Sequence, residues 1–177
     1  MQLKPQDVLV ALKLVSLGGE RQWTYAQLAM ALDMSVSQAH AAVRRGLTAQ
    51  LLVNDDGAIV PHVGNLEEFL VHGIRFVFVP ELGELTRGIP TAHGAPPLRQ
   101  QVQAGDTPPP VWPHPRGEVR GLSFSPLFRS VPEAARADRA LYELLALVDG
   151  IRGGRARERK LAATMLAGKL GAAHARD

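Results

Sequence analysis

The stretch Thr24-Tyr25-Ala26-Gln27-Leu28-Ala29-Met30-Ala31-Leu32-Asp33-Met34-Ser35-Val36-Ser37-Gln38-Ala39-His40-Ala41-Ala42-Val43-Arg44-Arg45 decides how the first third of this chain folds. It carries the same helix-start punctuation twice. Thr24 precedes Gln27 by three residues, and Ser35 precedes Gln38 by three. A hydroxyl and a glutamine at that spacing satisfy two orphan backbone donors reciprocally, so a helix is expected to start after each. Leu28, Ala29 and Leu32 give the first of these helices a buried face, and Asp33-Met34 leaves room only for a tight turn. In the second, over 36–49, Val36, Ala39, Val43 and Leu47 form the inward stripe. Its outward positions are then Ser37, Gln38, Ala41, Arg44, Arg45 and Thr48.

Working outward, Pro5 suits the first turn of an earlier helix, where its missing N–H costs nothing. Val8, Leu9, Leu12 and Val15, with Leu14 beside them, give that helix an apolar face, and Gly18-Gly19 ends it. On the other side, Leu51-Leu52-Val53 and Ala58-Ile59-Val60 flank Asn54-Asp55-Asp56-Gly57, two apolar runs around an Asp-Gly turn that predict a β-hairpin. Trp23 and Tyr25 are expected to pack the interior. Residues 1–62 thus read helix, helix, helix, hairpin.

These features resemble the helix-turn-helix of bacterial winged-helix transcription regulators, MarR-like in the broad sense. The residues that carry the resemblance are Leu28-Ala29, Leu32, Met34 in the turn, Ser35 as cap, Ser37, Val43 and the Arg44-Arg45 pair, over roughly residues 24 to 60. Asp33 stands where such proteins often have glycine, and aspartate tolerates the left-handed turn conformation. The resemblance implies a cytoplasmic repressor that binds double-stranded DNA as a homodimer, laying helix 36–49 in the major groove. The implied DNA contacts are Ser35, Ser37, Gln38, His40, Ala41, Arg44, Arg45 and Thr48. Gln38 can pair with adenine or merely close its capping box. The small Ala41 and Ala42 would let the helix lie close to DNA, whereas Asp55-Asp56 at the hairpin tip would repel phosphate.

From 63 to 131 the chain turns proline- and glycine-rich. Asn65 to His72 is expected as a short helix with Leu66, Phe69 and Leu70 inward, and Ile74 to Val79, rich in β-branched and aromatic residues, as a strand. Pro90 to Pro115, with Pro108-Pro109-Pro110, is expected to run extended along the surface. This layout, a DNA-binding head with an added module, resembles winged-helix antitoxins, which implies a protein partner (a toxin) held by residues 63–177. Arg87, Trp112, Phe124 and Phe128 are the candidate partner contacts. From 132 to 177 the pattern is helical again: Ser130-Val131-Pro132-Glu133 marks a start, and two apolar stripes (Leu141, Leu144, Leu145, Val148; Leu161, Met165, Leu166, Leu170) flank Gly153-Gly154. An αα-hairpin is expected. The fold class is α+β.

Bulk properties narrow the function. The chain has 177 residues, 46% hydrophobic, with a net charge of +3 and no cysteine, which excludes disulfides and thiolate chemistry. The apolar block of a signal peptide is not expected, nor is a membrane span. Six histidines (His40, His62, His72, His93, His114, His174) lie without the paired spacing of metal ligands, so no metal and no cofactor are expected. No phosphate loop, nucleophile elbow or close carboxylate pair stands out, and no enzymatic activity is expected. The basic run Arg152 to Lys160 is either the solvated side of a helix or a phosphate contact.

Overall fold

The computed structural model describes residues 1–103 and 105–175. Its architecture is α+β. Three helices come first, α1 (Pro5–Ser16), α2 (Tyr25–Ala31) and α3 (Val36–Thr48), followed by the antiparallel pair β1 (Leu52–Asp55) and β2 (Ala58–Pro61). Both capping boxes form: Thr24 and Gln27 close the start of α2, and Ser35 and Gln38 that of α3. Asp33 occupies the left-handed region at φ 47° in the turn between them.

α1 is buried on more than the one expected face. Val10 and Ala11 are as inaccessible as Val8, Leu9 and Leu12, because α3 packs on one side of it and a later helix on the other. A helix apolar nearly all round belongs in the interior. That later helix is α7 (Arg139–Gly153), which pairs with α8 (Ala156–His174) across the Gly153-Gly154 interruption, so the expected helical hairpin is present. The short α6 (Val131–Ala137) leads into α7, whose first turn is capped by Asp138 accepting from the Leu141 amide at 3.0 Å. One cluster of buried apolar side chains runs from Val8 to Leu170.

Ile74 to Val79 is not a strand. The chain is helical from Val63 to Glu68 (α4), passes through a π-helical turn at Phe69–Gly73, and resumes as α5 (Ile74–Val77). Leu66, Leu70 and Ile74 are fully buried at a spacing of four, with half-buried Phe78 next, its ring 6.4 Å from that of Phe69. The local β preference of Phe76, Val77 and Val79 yields to this helical burial stripe and leaves those three exposed.

The Pro-rich stretch also departs from expectation. β3 (Leu82–Pro90), β4 (Pro110–Pro113) and β5 (Val119–Phe124) close on one another as a three-stranded barrel, with β3 antiparallel to both others and β4 parallel to β5. Val111 and Trp112, neighbours on β4, are both fully buried. The strands approach so closely that a Cβ on Gly88 would overlap the Trp112 carbonyl, and one on Gly121 the Pro109 carbonyl. Glycine is the residue that permits such backbone contact. No helix among the described residues is long and apolar enough to cross a membrane.

Candidate nucleic-acid interface

The outward side of α3 is built by the burial of its other side. Ala39, Ala42, Val43 and Gly46 face the interior; a Cβ on Gly46 would sit 2.8 Å from Leu52 Cδ1. Ala42 is therefore core, not a surface residue that lets another molecule approach. Val36, expected inward, is instead exposed at the helix start. Ser35, Ser37, His40, Arg44 and Thr48 are exposed, and Gln38 and Ala41 half-buried.

Each candidate contact has a defined local state. Ser35 Oγ accepts from the Gln38 amide at 3.1 Å, and Gln38 Oε1 accepts from the Ser35 amide at 2.9 Å. That fixes the Gln38 side chain by its oxygen, while its amide nitrogen has no partner among the described residues. The Ser35 and Ser37 hydroxyls lie 3.0 Å apart. The His40 ring rests 4.9 Å from that of Tyr25, and Trp23 meets Tyr25 edge-on while donating from Nε1 to the Ile59 carbonyl at 3.3 Å. Thr48 Oγ1 donates to the Arg44 carbonyl at 3.0 Å. The Arg44 guanidinium has no hydrogen bond or ion pair among the described residues.

Arg45 departs from its expected role. Its Nε and one terminal nitrogen grip the two oxygens of Asp7 at 2.8 and 2.6 Å, and Asp7 is fully buried. The Lys4 amide donates to the same carboxylate at 2.8 Å. The hydrogen bonds from Arg45 to Asp7 hold its guanidinium above its ordinary pKa against the pull of burial. A side chain so engaged is a strut between α1 and α3. The nearby charge is otherwise sparse: Asp33, Asp55 and Asp56 are exposed, and Arg21 spends its charge on Asp55 at 2.8 Å.

The candidate partner contacts are not brought together. Trp112 and Phe124 are buried, and their partners explain why. Trp112 Nε1 donates to Asp149 Oδ2 at 2.7 Å, as does Thr91 Oγ1 at 2.8 Å, while Arg152 binds Asp149 Oδ1 at 2.6 Å. Arg152 also donates from Nε to the Phe78 carbonyl at 2.8 Å and lies 5.6 Å from the Phe124 ring centre. Burial pushes the Asp149 carboxyl above the ordinary carboxylate range, with Arg152 and the two neutral donors pulling the other way. The set pins the barrel to α7. Phe128 is half-buried against the core, and of the four only Arg87 is exposed. Sequence reasoning missed Asp7 and Asp149; a lone acid in an apolar helical run was the available signal for both.

Among the described residues no group of three or more metal-ligating side chains converges. His93 faces Glu158 at 3.6 Å, and His114 bonds Glu133 at 2.7 Å. No family model, curated protein or solved structure matches the chain.

Proposed function

We propose that this protein is a sequence-specific DNA-binding regulator: α1–α3 and the β1–β2 hairpin act as a winged helix-turn-helix that places α3 in the major groove of a duplex. The observation that supports this reading is the outward side of α3. Over three turns it presents Ser35, Ser37, His40, Arg44 and Thr48 to solvent, interrupted only by the small Ala41 and, at the start, Val36. These are hydrogen-bonding side chains of the kind that read base edges. Base contacts fall to Ser37, the Gln38 amide and His40; Arg44 contacts a phosphate or a guanine. The hairpin tip, with Asp55 and Asp56, stays off the phosphates.

One free guanidinium per α3 is little cationic charge for a duplex. Affinity therefore depends on two copies reading two half-sites, and a homodimer is part of the proposal. The test is a salt-series titration of the full chain with the duplex upstream of its own gene and with a scrambled duplex. Preference for the first that persists with added salt, and falls in Arg44→Ala with a salt slope reduced by about 1 for each phosphate no longer neutralised, is the expected result. Equal, strongly salt-dependent binding to both duplexes, or none to either, overturns the reading.

A further inference from the structure

The outer face of the barrel holds an arrangement that the DNA-binding reading does not use. In the β3–β5 ladder Leu85 stands directly opposite Leu122, and Arg87 directly opposite Arg120. Between these pairs, Thr86 stands opposite Gly121, the glycine that packs against the Pro109 carbonyl inside the barrel. Side chains alternate across a strand, so the flanking residues point outward as one block, two leucines beside two arginines. All four are exposed, Leu85 at 48% and Leu122 at 38%. Neither guanidinium has a hydrogen bond or ion pair among the described residues. An open hollow of about 610 Å³ is lined by Leu85, Arg87, Arg120 and Glu118, whose carboxylate is paired with neither arginine. Just upstream, Phe76, Val79 and Leu82 are each about two-thirds exposed.

Both halves of this block are unfavourable for the chain alone. Like charges directly opposite in a ladder destabilise it, and neighbouring bare leucines leave apolar area in water. One occupant relieves both: a segment with carboxylates for the arginines and apolar side chains for the leucines. A nucleic-acid backbone would satisfy Arg87 and Arg120 but offers nothing to Leu85 and Leu122. A second copy of the same face brings two more arginines against a single carboxylate in the hollow, that of Glu118. We propose that the outer β3–β5 face is the docking surface for an acidic, leucine-like segment of a partner protein, with Arg87 and Arg120 binding its carboxylates and Leu85 and Leu122 its apolar side chains. The surface is independent of α3.

The experiment uses the full chain and three fluorescein-labelled peptides in which leucine alternates with glutamate, lysine or serine, read by anisotropy. The glutamate peptide binds, and the other two bind about tenfold more weakly or not at all. Arg120→Glu converts the like-charge pair into an opposite-charge pair. It therefore raises Tm by about 1–3 °C while weakening the glutamate peptide about tenfold or more. A variant that becomes more stable and binds less well has not lost binding by misfolding. Arg87→Gln gives the same loss without adding a charge, and Arg44→Ala leaves peptide affinity unchanged. The proposal is overturned if the glutamate and serine peptides bind alike, or if Arg120→Glu and Arg87→Gln leave affinity intact. It is equally overturned if these variants abolish duplex binding while no peptide binds, or if Arg120→Glu dissociates a homodimer of the wild type.

Discussion

Two adjacent arginines, Arg44 and Arg45, have opposite fates, and the difference is one step of about 100° around α3. That step turns Arg45 toward α1, where the buried Asp7 takes both arms of its guanidinium, and turns Arg44 to solvent. Removing one partner of a buried ion pair leaves the other charge stranded, which typically costs about 3–5 kcal/mol. Arg45→Ala is therefore expected to lose stability of that order in urea unfolding, whereas Arg44→Ala stays within about 0.5 kcal/mol of wild type. Equal stability of the two variants would refute the strut role of Arg45. A DNA-binding assay on a combined Arg44/Arg45 variant would confuse unfolding with weaker DNA recognition, so Arg44 alone is the informative substitution. Periodicity put both arginines on the outward side, which holds for Arg44 and fails for Arg45. What it lacked was Asp7, 38 residues away, just as the indole of Trp112 finds its acceptor in Asp149, 37 residues away.

At the scale of elements, legibility followed the range of the forces involved. Capping boxes, the Asp-Gly hairpin turn and the glycine break between α7 and α8 act over a few residues, and each stands where its signal lies. The segment from Ile74 to Val79 failed because a spacing of four, Leu66, Leu70, Ile74 and Phe78, competes with a β-rich composition, and only the packing decides between them. The barrel was illegible for a related reason: β3 pairs with β4 and β5 across 21 to 42 residues of sequence, as in Pro90 with Val111 and Leu82 with Phe124, and prolines mask the strands. Its glycines were the available clue. Gly88→Ala or Gly121→Ala forces a methyl into a facing carbonyl and is expected to destabilise the chain by about 3 kcal/mol or more, by displacing β4. Gly168→Ala, on the exposed side of α8 with nothing near its Cβ, is expected to stabilise by about 0.5–1 kcal/mol. Urea denaturation of the three variants measures the contrast, and similar shifts for all three would mean the close approach in the barrel is not a constraint.

At the scale of the molecule, charge binds the helical layers together as well as facing outward. Of the run Arg152 to Lys160, Arg152 is buried against Asp149 and Arg159 donates to the Gly154 carbonyl, while Arg155, Arg157 and Lys160 remain exposed. Two further carboxylates connect helices: Asp138 receives Lys13 at 2.7 Å and Ser16 at 2.8 Å from α1, and Glu143 of α7 receives Lys169 of α8 at 2.6 Å. Burial works to raise the Asp138 pKa, but the bonds from Lys13, the Leu141 amide and Ser16 together outweigh it, and its pKa is lowered. The Lys169 hydrogen bond likewise lowers that of Glu143. A carboxylate with a lowered folded-state pKa contributes stability that is present above its unfolded pKa and is lost as pH falls through the folded one. The wild type should therefore lose stability progressively below about pH 4. The Asp138→Asn/Glu143→Gln variant should be less stable at pH 7, by about 1–2 kcal/mol for these partly exposed pairs, and its stability should fall less steeply below pH 4. Asp149, whose raised pKa contributes with the opposite sign, is common to both proteins and cancels in the comparison. Urea titrations from about pH 7 down to pH 3 should show the two curves converging in acid. Parallel curves would mean that neither carboxylate holds its helices together through charge.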